Sequence, residues 1–549
     1  MSSVQVLVVG AGPVGLTAAH ELARHGVTVR LVDAAAGPAT TSRALATHAR
    51  TLEVYDQLGV LDELLPRGQR VEHFTLHQNG RRLVRFDTDY SRLPTRFPFT
   101  LMVDQVVTEE VLRTAAARRG VEVEWGVRLA RFEDRGQGGV RAVLEHADGR
   151  TEEVDAGWLV GCDGGHSTVR KQLGLPLIGE SSETWLIADA VVDCDLPRDS
   201  IHWMRTPAGT VMMVPFPAPG KWRLLDTADA TNPGDRAVAD RFAAKIEAGT
   251  GRPVRVEDPS WISVFTIQQR MIEQMRSGRV FLAGDAAHVH SPASGQGMNT
   301  GVQDAVNLSW KLAAVIRGEA AETLLDSYSA ERVPVGATLL KSTRMATMLV
   351  QLRSRKAAAA LRTLFTVVRS VRPLKSKIER KIMGGMSALD LSYADGPLAL
   401  PAAPAGPGPG ARVARVTDPT PAWAALLDEL RTPGWTLLVR AVPTQHAALH
   451  RLAAEHPAVR VRALVPDGTG SDAPGPLADP DGTLAADLGV PAGGWLLVRP
   501  DGYLAASGPG LDAAPPAEAF ARLGVLPPRP AAGGPGAPAA AGADRRLTV

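Results

Sequence analysis

The chain contains 549 residues, 45% of them hydrophobic and 21% charged, and its net charge is +2. The length predicts roughly three or four domains, and the nearly neutral charge argues against nucleic acid as the main partner. The sequence has no apolar run of about 18 residues that would predict a membrane-spanning helix and no basic region before its first apolar strand, so a cytoplasmic protein is expected.

Residues 4–33 have the pattern of a βαβ unit with GxGxxG at its first turn. Gly10 allows a tight turn, Gly12 lets a pyrophosphate approach the backbone, and Gly15 lets the helix pack closely on the strand. Asp33, at the end of the second strand, can accept a hydrogen bond from a ribose hydroxyl. The strand, the glycines, the helix and the acidic residue all occur at the positions that the motif requires. The unit therefore predicts dinucleotide binding, although it does not distinguish FAD from NAD.

Two arginines follow where the chain returns toward the nucleotide-binding end of the sheet. Arg43 and Arg50 precede or begin a predicted helix, and a guanidinium at either place suits a phosphate. A solvated arginine before a helix is the alternative. Residues 70–100 then carry short strand patterns, and a further helix is predicted to start near Met102.

A junction of glycine and carboxylate recurs twice more, each time between an apolar strand and a helix. The first is Asp163-Gly164, and the second is Gly284-Asp285. Asp285 can accept bonds from the hydroxyls of a ligand chain, and the N-terminus of the helix predicted from about Gly297 favours negative charge. Glycines that only permit close packing are the alternative, but three such junctions in one chain are hard to explain by packing alone.

Thiol and metal chemistry are not expected. The two cysteines, Cys162 and Cys194, form no CxxC motif, which argues against thiol–disulfide exchange and against a zinc site built from cysteines. His288 and His290 follow the last junction as HxH, but no further ligands accompany them, so no metal is expected.

The three junctions together carry a family resemblance. Gly10-x-Gly12-x-x-Gly15, Asp163-Gly164 and Gly284-Asp285, in this order and at these separations, resemble the single-component flavin-dependent aromatic hydroxylases with the p-hydroxybenzoate hydroxylase-like fold. Residues 42–59, SRALATHARTLEVYDQLG, are similar to the branch that acts on bacterial aromatic polyketides. The resemblance implies an α/β protein with a Rossmann-like FAD-binding domain, an inserted β-sheet substrate domain and a C-terminal thioredoxin-like domain.

The resemblance and the composition together predict the domain boundaries. The expected FAD-binding domain is 1–175 plus 280–345, with 70–100 contributing to the substrate side, and the expected β-sheet substrate domain is 176–279. A helical connector is expected at 346–397, a thioredoxin-like domain without cysteines at 398–526, and a disordered tail rich in Pro, Ala and Gly at 527–549. Residues 337–385 carry many basic side chains and one acid, Glu379, which fits either a membrane-surface helix or a solvated helix face.

The resemblance also implies cofactor-binding residues, position by position. Those expected to hold the ADP half of FAD are Gly10, Gly12, Gly15 and Asp33, and those expected to contact FAD elsewhere are Arg43, Gln105, Asp163, Asp285, Gly297, Met298 and Asn299. Asp163 belongs to a motif associated with both FAD and NADPH, Asp285 would bind the ribityl chain, and Met298 and Asn299 would present backbone N–H groups to the pyrimidine edge of the flavin. The family lacks a second GxGxxG for NADPH, and this chain has none.

The strand patterns within 176–279 predict a sheet beside the flavin that forms the substrate pocket. Candidates to line it are Trp203, Met213, Phe216 and Trp222, because flat polycyclic ligands favour aromatic and thioether surfaces. Ordinary sheet core is the alternative for each of them.

The activity that the resemblance implies is an FAD- and NADPH-dependent monooxygenase that hydroxylates a small-molecule polycyclic aromatic polyketide in antibiotic-type secondary metabolism. A flavin C4a-hydroperoxide would deliver one oxygen atom of O2, so the difficult chemistry belongs to the cofactor and no catalytic residue is assigned. Baeyer–Villiger oxygen insertion or epoxidation is the closest alternative, and a non-catalytic nucleotide-binding regulatory protein is the alternative from another class. The sequence leaves open the substrate, the preference for NADPH over NADH and the formation of a homodimer.

Overall fold

The computed structural model describes residues 2–87, 90–91, 93–232, 234–291, 295–351, 365, 371, 373, 375–379, 387–401, 406–466 and 472–526. Within these residues the chain forms four β-sheets with helices on their faces. The predicted connector at 346–397 is described only in part, and the predicted tail at 527–549 lies outside the described residues.

An eight-stranded sheet contains the first strand and the strand that precedes Gly284. Its centre is parallel: Ser2–Val9 lies between Val29–Asp33 and Thr151–Gly161, and Val280–Leu282 pairs with Thr151–Gly161. The inner strands are buried on both faces, which explains their continuous apolar sequences. The other strands of this sheet are Val123–Trp125, Val127–Asp134, Val140–His146 and Arg276–Ser277.

Helices cover the faces of this sheet. The helix Pro13–Arg24 begins directly after the first glycine turn and packs against Gln105–Ala117 and against Gln296–Ile316, which we call the central helix. The remaining helical segments in this part are Ala49–Gln57, Leu61–Leu64, Thr168–Gln172 and Asp326–Gln351, with 3-10 turns at Leu65–Arg67, Gly136–Gly138, Gly284–Ala286 and Glu322–Leu325. Among the described helices, none has both the length and the apolar character to cross a membrane.

A nine-stranded, largely antiparallel sheet stands beside the first. Its strands, from one edge to the other, are His288–Val289, Trp261–Met271, Ile178–Asp193, Lys221–Asp226, Gly209–Pro215, Ser200–Thr206, His73–Gln78 and Arg81–Asp87, and Arg255–Val256 pairs with Ile178–Asp193. Two strands from the earlier part of the chain therefore complete this sheet, and His73–Gln78 joins it in parallel with Ser200–Thr206. One face packs on the helix Asp235–Thr250.

The C-terminal part is built on a mixed five-stranded sheet. Its strand order is Pro476–Ala478, Val459–Val465, Trp435–Val439, Trp495–Val498 and Leu504–Gly508, and the surrounding helical segments are Pro421–Glu429, Pro443–Gln445, His446–Glu455, Thr483–Asp487 and Pro516–Arg522. Leu437 and Leu438 belong to different hydrophobic clusters, one on each face, as the alternation of a strand requires. A small sheet of Ala46–Thr47, Thr100–Met102 and Gln69–Val71 lies elsewhere, in the N-terminal part.

A buried ionic network joins the C-terminal part to the central helix. Arg499 donates to the two carboxylate oxygens of Glu331, at 2.6 and 2.9 Å, and to Asp501. From the central helix, Lys311 donates to Glu331 at 2.8 Å and Trp310 donates to Asp501 at 3.1 Å. All five side chains are buried, so each charge depends on its partners for stabilisation.

Candidate active site

A cavity of about 1740 Å³ lies between the eight-stranded and the nine-stranded sheets. One side is formed by the first glycine turn, the segment 43–48 and the start of the central helix, and the other by a face of the nine-stranded sheet. Of the residues predicted to bind cofactor or substrate, those that line it are Gly12, Arg43, Gln105, Trp203, Asp285, Gly297 and Met298. Single ligand pockets usually measure about 300–1,000 Å³, so this cavity has room for two ligands.

The first glycine turn combines close packing with one open position. Gly10 has φ +102°, and a Cβ there would lie 2.4 Å from the carbonyl oxygen of Cys162. A Cβ on Gly15 would lie 1.8 Å from the carbonyl oxygen of Gly10, so helix and strand meet at this point. Gly12, in contrast, has no atom within 4 Å of the place where its Cβ would be. The space beside Gly12 therefore suits a ligand that approaches the backbone at a helix N-terminus.

Asp33 and Asp163 brace the backbone near the cavity and do not line it. Asp33 accepts hydrogen bonds from the N–H groups of Ala11 at 2.6 Å and Ala35 at 2.8 Å. Asp163 accepts two bonds from backbone N–H groups in the first turn of Thr168–Gln172, at 2.7 and 3.1 Å. A carboxylate has about four acceptor sites, so these bonds fix the turns and leave Asp33 and Asp163 with further acceptor capacity.

Asp285 and Arg43 bring opposite charges to the cavity. Among the residues that the structure describes, neither side chain has a hydrogen-bond partner, and both are open to the cavity, which the surrounding protein shields from bulk solvent. Burial of the site raises the pKa of Asp285 above its usual range, and His288 and Arg43 offset this rise only in part. A carboxylate that is shielded from bulk solvent normally accepts hydrogen bonds from donors. The hydroxyl groups of a ligand could donate such bonds to Asp285.

The central helix begins at the cavity. Gly297 and Met298, in its first turn, are both part of the lining, and the first N–H groups of a helix lack intrahelical partners and carry partial positive charge. Asn299 lies behind them, because its amide donates to the carbonyl of Ala46 at 2.8 Å and its oxygen accepts from the N–H of His48 at 2.8 Å. Asn299 thus ties the start of the helix to the segment that follows Arg43.

The segment 42–46 is held by the helix Gln105–Ala117 and by the nine-stranded sheet. Gln105 accepts from a backbone N–H of this segment at 2.8 Å. From the nine-stranded sheet, the buried Arg223 donates to two of its carbonyl oxygens, both at 2.6 Å, and to both carboxylate oxygens of Asp189, each at 2.8 Å. Arg223 and Asp189 did not emerge from the sequence, where they resemble ordinary polar residues of alternating strands.

The nine-stranded sheet places the four predicted pocket residues in different surroundings. Trp203 lines the cavity. Met213 and Trp222 lie on the opposite face, in the hydrophobic cluster beside the helix Asp235–Thr250. Phe216 is buried in the cluster that backs the cavity wall and is not part of the lining. Successive side chains of a strand point to opposite faces, so Met213 cannot share the cavity with its neighbours.

The wall on the sheet side is mainly apolar. Its apolar members are Phe74, Leu76, Phe86, Ile187, Ile201, Trp203, Met212, Val214, Leu225, Phe265 and Ile267. Most of them come from alternate positions of their strands, so period-two spacing was the signal that could have grouped them. Such a wall accommodates a flat, apolar ligand better than a charged one.

The polar side of the cavity fits FAD. The opening at Gly12 admits a pyrophosphate, the unsatisfied carboxylate of Asp285 can accept from the hydroxyls of a ribityl chain, and the helix start at Gly297 and Met298 offers N–H groups to an electron-rich ring. Fold and site together define a flavoprotein oxidoreductase in which the cofactor site opens into an apolar chamber.

Comparison with known proteins identifies the family. The chain belongs to the FAD binding domain family, which matches residues 3–343. It is 55% identical over 511 residues to 6-methylpretetramide 4-monooxygenase of Streptomyces rimosus, covering 92% of this chain and 90% of that protein. The family and the α/β fold class predicted from the sequence are confirmed, and the protein is a flavin-dependent monooxygenase.

Solved structures share the fold across nearly the whole chain. OxyS anhydrotetracycline hydroxylase from Streptomyces rimosus is 31% identical, with a TM-score of 0.73, and the match covers 96% of this chain and 100% of that one. CabE, an aromatic hydroxylase from angucycline biosynthesis, is also 31% identical, with a TM-score of 0.71 and the same coverage. The likeness therefore includes the C-terminal part as well as the two sheets around the cavity.

Proposed function

We propose that the protein hydroxylates a tetracyclic phenolic polyketide, with FAD at the polar side of the cavity and the substrate in its apolar chamber. The observation that carries the proposal is the cavity itself, about 1740 Å³ in volume with a polar and an apolar side. The substrate class is supported by the similar Streptomyces rimosus enzymes, which are named for 6-methylpretetramide and for anhydrotetracycline.

In this proposal the cofactor-binding residues contact different parts of FAD along the polar side of the cavity. Gly10, Gly12, Gly15 and Asp33 form the turn that receives the ADP half of FAD, and Asp163 fixes the second turn beside it. Asp285 accepts hydrogen bonds from the ribityl chain, Arg43 and Gln105 contact the cofactor from the segment 42–46 and its neighbour, and Gly297, Met298 and Asn299 form the helix start at the flavin ring.

When bound, FAD supplies the redox chemistry that transfers one oxygen atom of O2 to the substrate. The chain's own residues bind and orient the two ligands. The apolar wall excludes water from the reacting region, and the N–H groups of Gly297 and Met298 favour negative charge beside them. Arg223 and Gln105 hold the segment 42–46, which keeps Arg43 at the cavity.

The domain assignment follows the same division. We assign 1–175 plus 280–345 to FAD binding and 176–279 to the substrate sheet, with residues 73–87 supplying two more strands of that sheet. The part 398–526, expected from its sequence to be a thioredoxin-like domain without cysteines, has a structural role: Asp501 binds Trp310 of the central helix, and Arg499 binds Glu331 of the helix Asp326–Gln351. NADPH is the reductant in this proposal, and the cytoplasm is the expected compartment.

The test is a reaction of the purified, FAD-loaded protein with 6-methylpretetramide, NADPH and 18O2, followed by mass spectrometry and NMR of the product. We expect one labelled oxygen on an aromatic carbon. A labelled, ring-expanded lactone would show that the reaction is Baeyer–Villiger insertion and not hydroxylation. NADPH consumption without labelled product, or the absence of any NADPH oxidation, would contradict the proposed activity. A parallel reaction with NADH decides the preference for the reductant.

A further inference from the structure

Two residues of the predicted connector line the cavity. Phe365 and Ile378 lie within 346–397, and both belong to the lining. Phe365 packs edge-to-face against Phe86 of the strand Arg81–Asp87, with the two ring centres 6.0 Å apart. The sequence allowed either a membrane-surface helix or a solvated face for this basic stretch. Neither alternative accounts for two apolar side chains in the wall of a cavity.

Phe365 and Ile378 complete a purely apolar group of side chains, which we call the distal corner. Its members are Phe74, Leu76, Val84, Phe86, Phe365 and Ile378, and all of them except Val84 are part of the cavity lining. The strands His73–Gln78 and Arg81–Asp87 lie at one edge of the nine-stranded sheet, and His288–Val289, which leads to the start of the central helix, lies at the opposite edge. The distal corner is therefore the end of the cavity that is far from Asp285 and Gly297.

Polar contacts clamp the connector to the strand that carries Phe86. Lys375 donates to a carboxylate oxygen of Asp87 at 3.0 Å, and Glu379 accepts from the backbone N–H of Asp87 at 2.9 Å. Lys375 and Glu379 also pair with each other at 3.2 Å. Glu379 is buried, and a buried carboxylate depends on such partners. Because Ile378 lies directly between the two clamping residues, the same contacts fix its position beside Phe86.

We infer that the distal corner binds the apolar end of the polycyclic substrate, and that Phe365 and Ile378 are specificity-determining residues that contact its rings. Glu379 is a positioning residue in this inference, because it acts through the backbone of Asp87 and through Ile378. The inference rests on the proposed function, which supplies the class of substrate. It adds the part of the chain that recognises the end of the substrate farthest from the start of the central helix.

The chemistry of the distal corner favours the substrate over the cofactor. FAD presents a charged pyrophosphate and a chain of hydroxyls, and the positions that suit them, beside Gly12 and Asp285, are on the polar side of the cavity. None of the six side chains of the distal corner can form a hydrogen bond, so a charged group there would lose its hydration without compensation. An aromatic ring, in contrast, gains contacts with phenylalanine side chains. The distal corner should therefore select an uncharged ring.

The test measures substrate binding to the FAD-loaded protein without NADPH, with 6-methylpretetramide as the ligand and its absorbance as the readout. We expect Phe365→Ala to raise the Kd at least about tenfold, because the contact between its ring and the ligand is lost. Phe132→Ala is the matched control. Phe132 is half-buried like Phe365, but it belongs to the strand Val127–Asp134 and does not line the cavity, so this Kd should not change. The Kd of FAD, measured with the apoproteins by flavin fluorescence, should be the same in both variants and in the unchanged protein.

A pair of substitutions at Glu379 tests its positioning role. Glu379→Ala removes the acceptor for the N–H of Asp87, so the Kd of 6-methylpretetramide should rise. Glu379→Gln keeps an acceptor oxygen, so its Kd should stay within about threefold of the unchanged protein, since a neutral hydrogen bond replaces a charged one. Equal effects of the two substitutions, or no effect of Glu379→Ala, would overturn the positioning role.

Other results would overturn the inference as a whole. An unchanged Kd of 6-methylpretetramide in Phe365→Ala would do so, and a lower Tm in the same variant would then make Phe365 a packing residue only. An equal rise in the Kd of FAD would assign the distal corner to the cofactor. If Phe365→Ala does not fold, as judged by thermal melting, Phe365→Leu takes its place in the same titrations.

The failure of the proposed function is a separate outcome. It is decided by the labelled product of the unchanged protein, which does not involve these variants. If 6-methylpretetramide does not bind to the unchanged protein, the proposed substrate fails, and the titrations are repeated with anhydrotetracycline. An unchanged Kd of anhydrotetracycline in Phe365→Ala, or the absence of binding of both compounds, would then overturn the inference.

Discussion

Replacing Asp285 by alanine tests the polar side of the cavity most directly. No described residue donates a hydrogen bond to this carboxylate, which is open to the cavity, so the substitution breaks no hydrogen bond of the apoprotein. With FAD bound, the proposal gives Asp285 the hydroxyls of the ribityl chain as donors. Asp285→Ala leaves those hydroxyls without their acceptor, so the whole loss should fall on the holoprotein.

The expected loss follows from the charge of the acceptor. Hydrogen bonds to charged groups contribute about 1.5–3 kcal/mol, and about 1.4 kcal/mol corresponds to a tenfold change in affinity. The Kd of FAD should therefore rise roughly tenfold to a hundredfold in Asp285→Ala. Asp285→Asn keeps the shape and one acceptor oxygen, so its Kd should rise less.

The apoprotein of Asp285→Ala should be more stable than the unchanged apoprotein, although its affinity for FAD is lower. The protein around the cavity desolvates Asp285 and raises its pKa in the folded state above the ordinary value of 3.8. A group with a raised pKa favours the folded state below its unfolded pKa, and this contribution is lost as the pH rises through the folded pKa. At neutral pH the ionised Asp285 is thus unfavourable, so Asp285→Ala should raise the Tm of the apoprotein, and the difference should shrink on acidification.

The assay combines FAD titration of the apoprotein, followed by flavin fluorescence, with thermal melting at neutral and at acidic pH. Asp258→Ala is the matched control, since it removes an exposed carboxylate that pairs with Arg236 at the surface, and it should leave the Kd of FAD unchanged. Unchanged FAD affinity in folded Asp285→Ala protein would refute the assignment. A lower Tm of the apoprotein with an unchanged Kd would make Asp285 a packing residue.

Three further outcomes are expected. Arg499→Ala leaves the buried Glu331 with fewer partners, so urea denaturation should show a loss of about 3–5 kcal/mol in the free energy of unfolding; a variant as stable as the unchanged protein would show that the network is dispensable. Gly12→Ala places its Cβ in open space, so the Tm of the apoprotein should stay the same while the Kd of FAD rises at least about tenfold; an unchanged Kd would locate the pyrophosphate elsewhere. Met212→Ala should weaken substrate binding to the FAD-loaded protein, whereas Met213→Ala should lower the free energy of unfolding by about 2–5 kcal/mol and leave substrate binding intact; equal effects on binding would contradict the alternation of this strand.

The family, the α/β class and the places where strands turn into helices could all be predicted from local patterns in the sequence. At each glycine–carboxylate junction, much of the local geometry has its cause within the motif. Gly15 is small because it meets Gly10, and Asp163 caps a helix that starts five residues later. Such short-range causes leave a readable pattern, and the three patterns together resemble one family.

Which residues face one another across the cavity could not be predicted in this way, because it depends on how distant elements pack together. Period-two spacing divides a strand into two faces, but it does not say which face meets the cofactor side. The same spacing would allow either Met212 or Met213 to line the cavity. Arg223 holds the carbonyl of Arg43 across 180 residues of chain, and Asn299 accepts from the N–H of His48 across 251 residues. These contacts arise when two sheets and the central helix come together, so no local stretch of sequence records them.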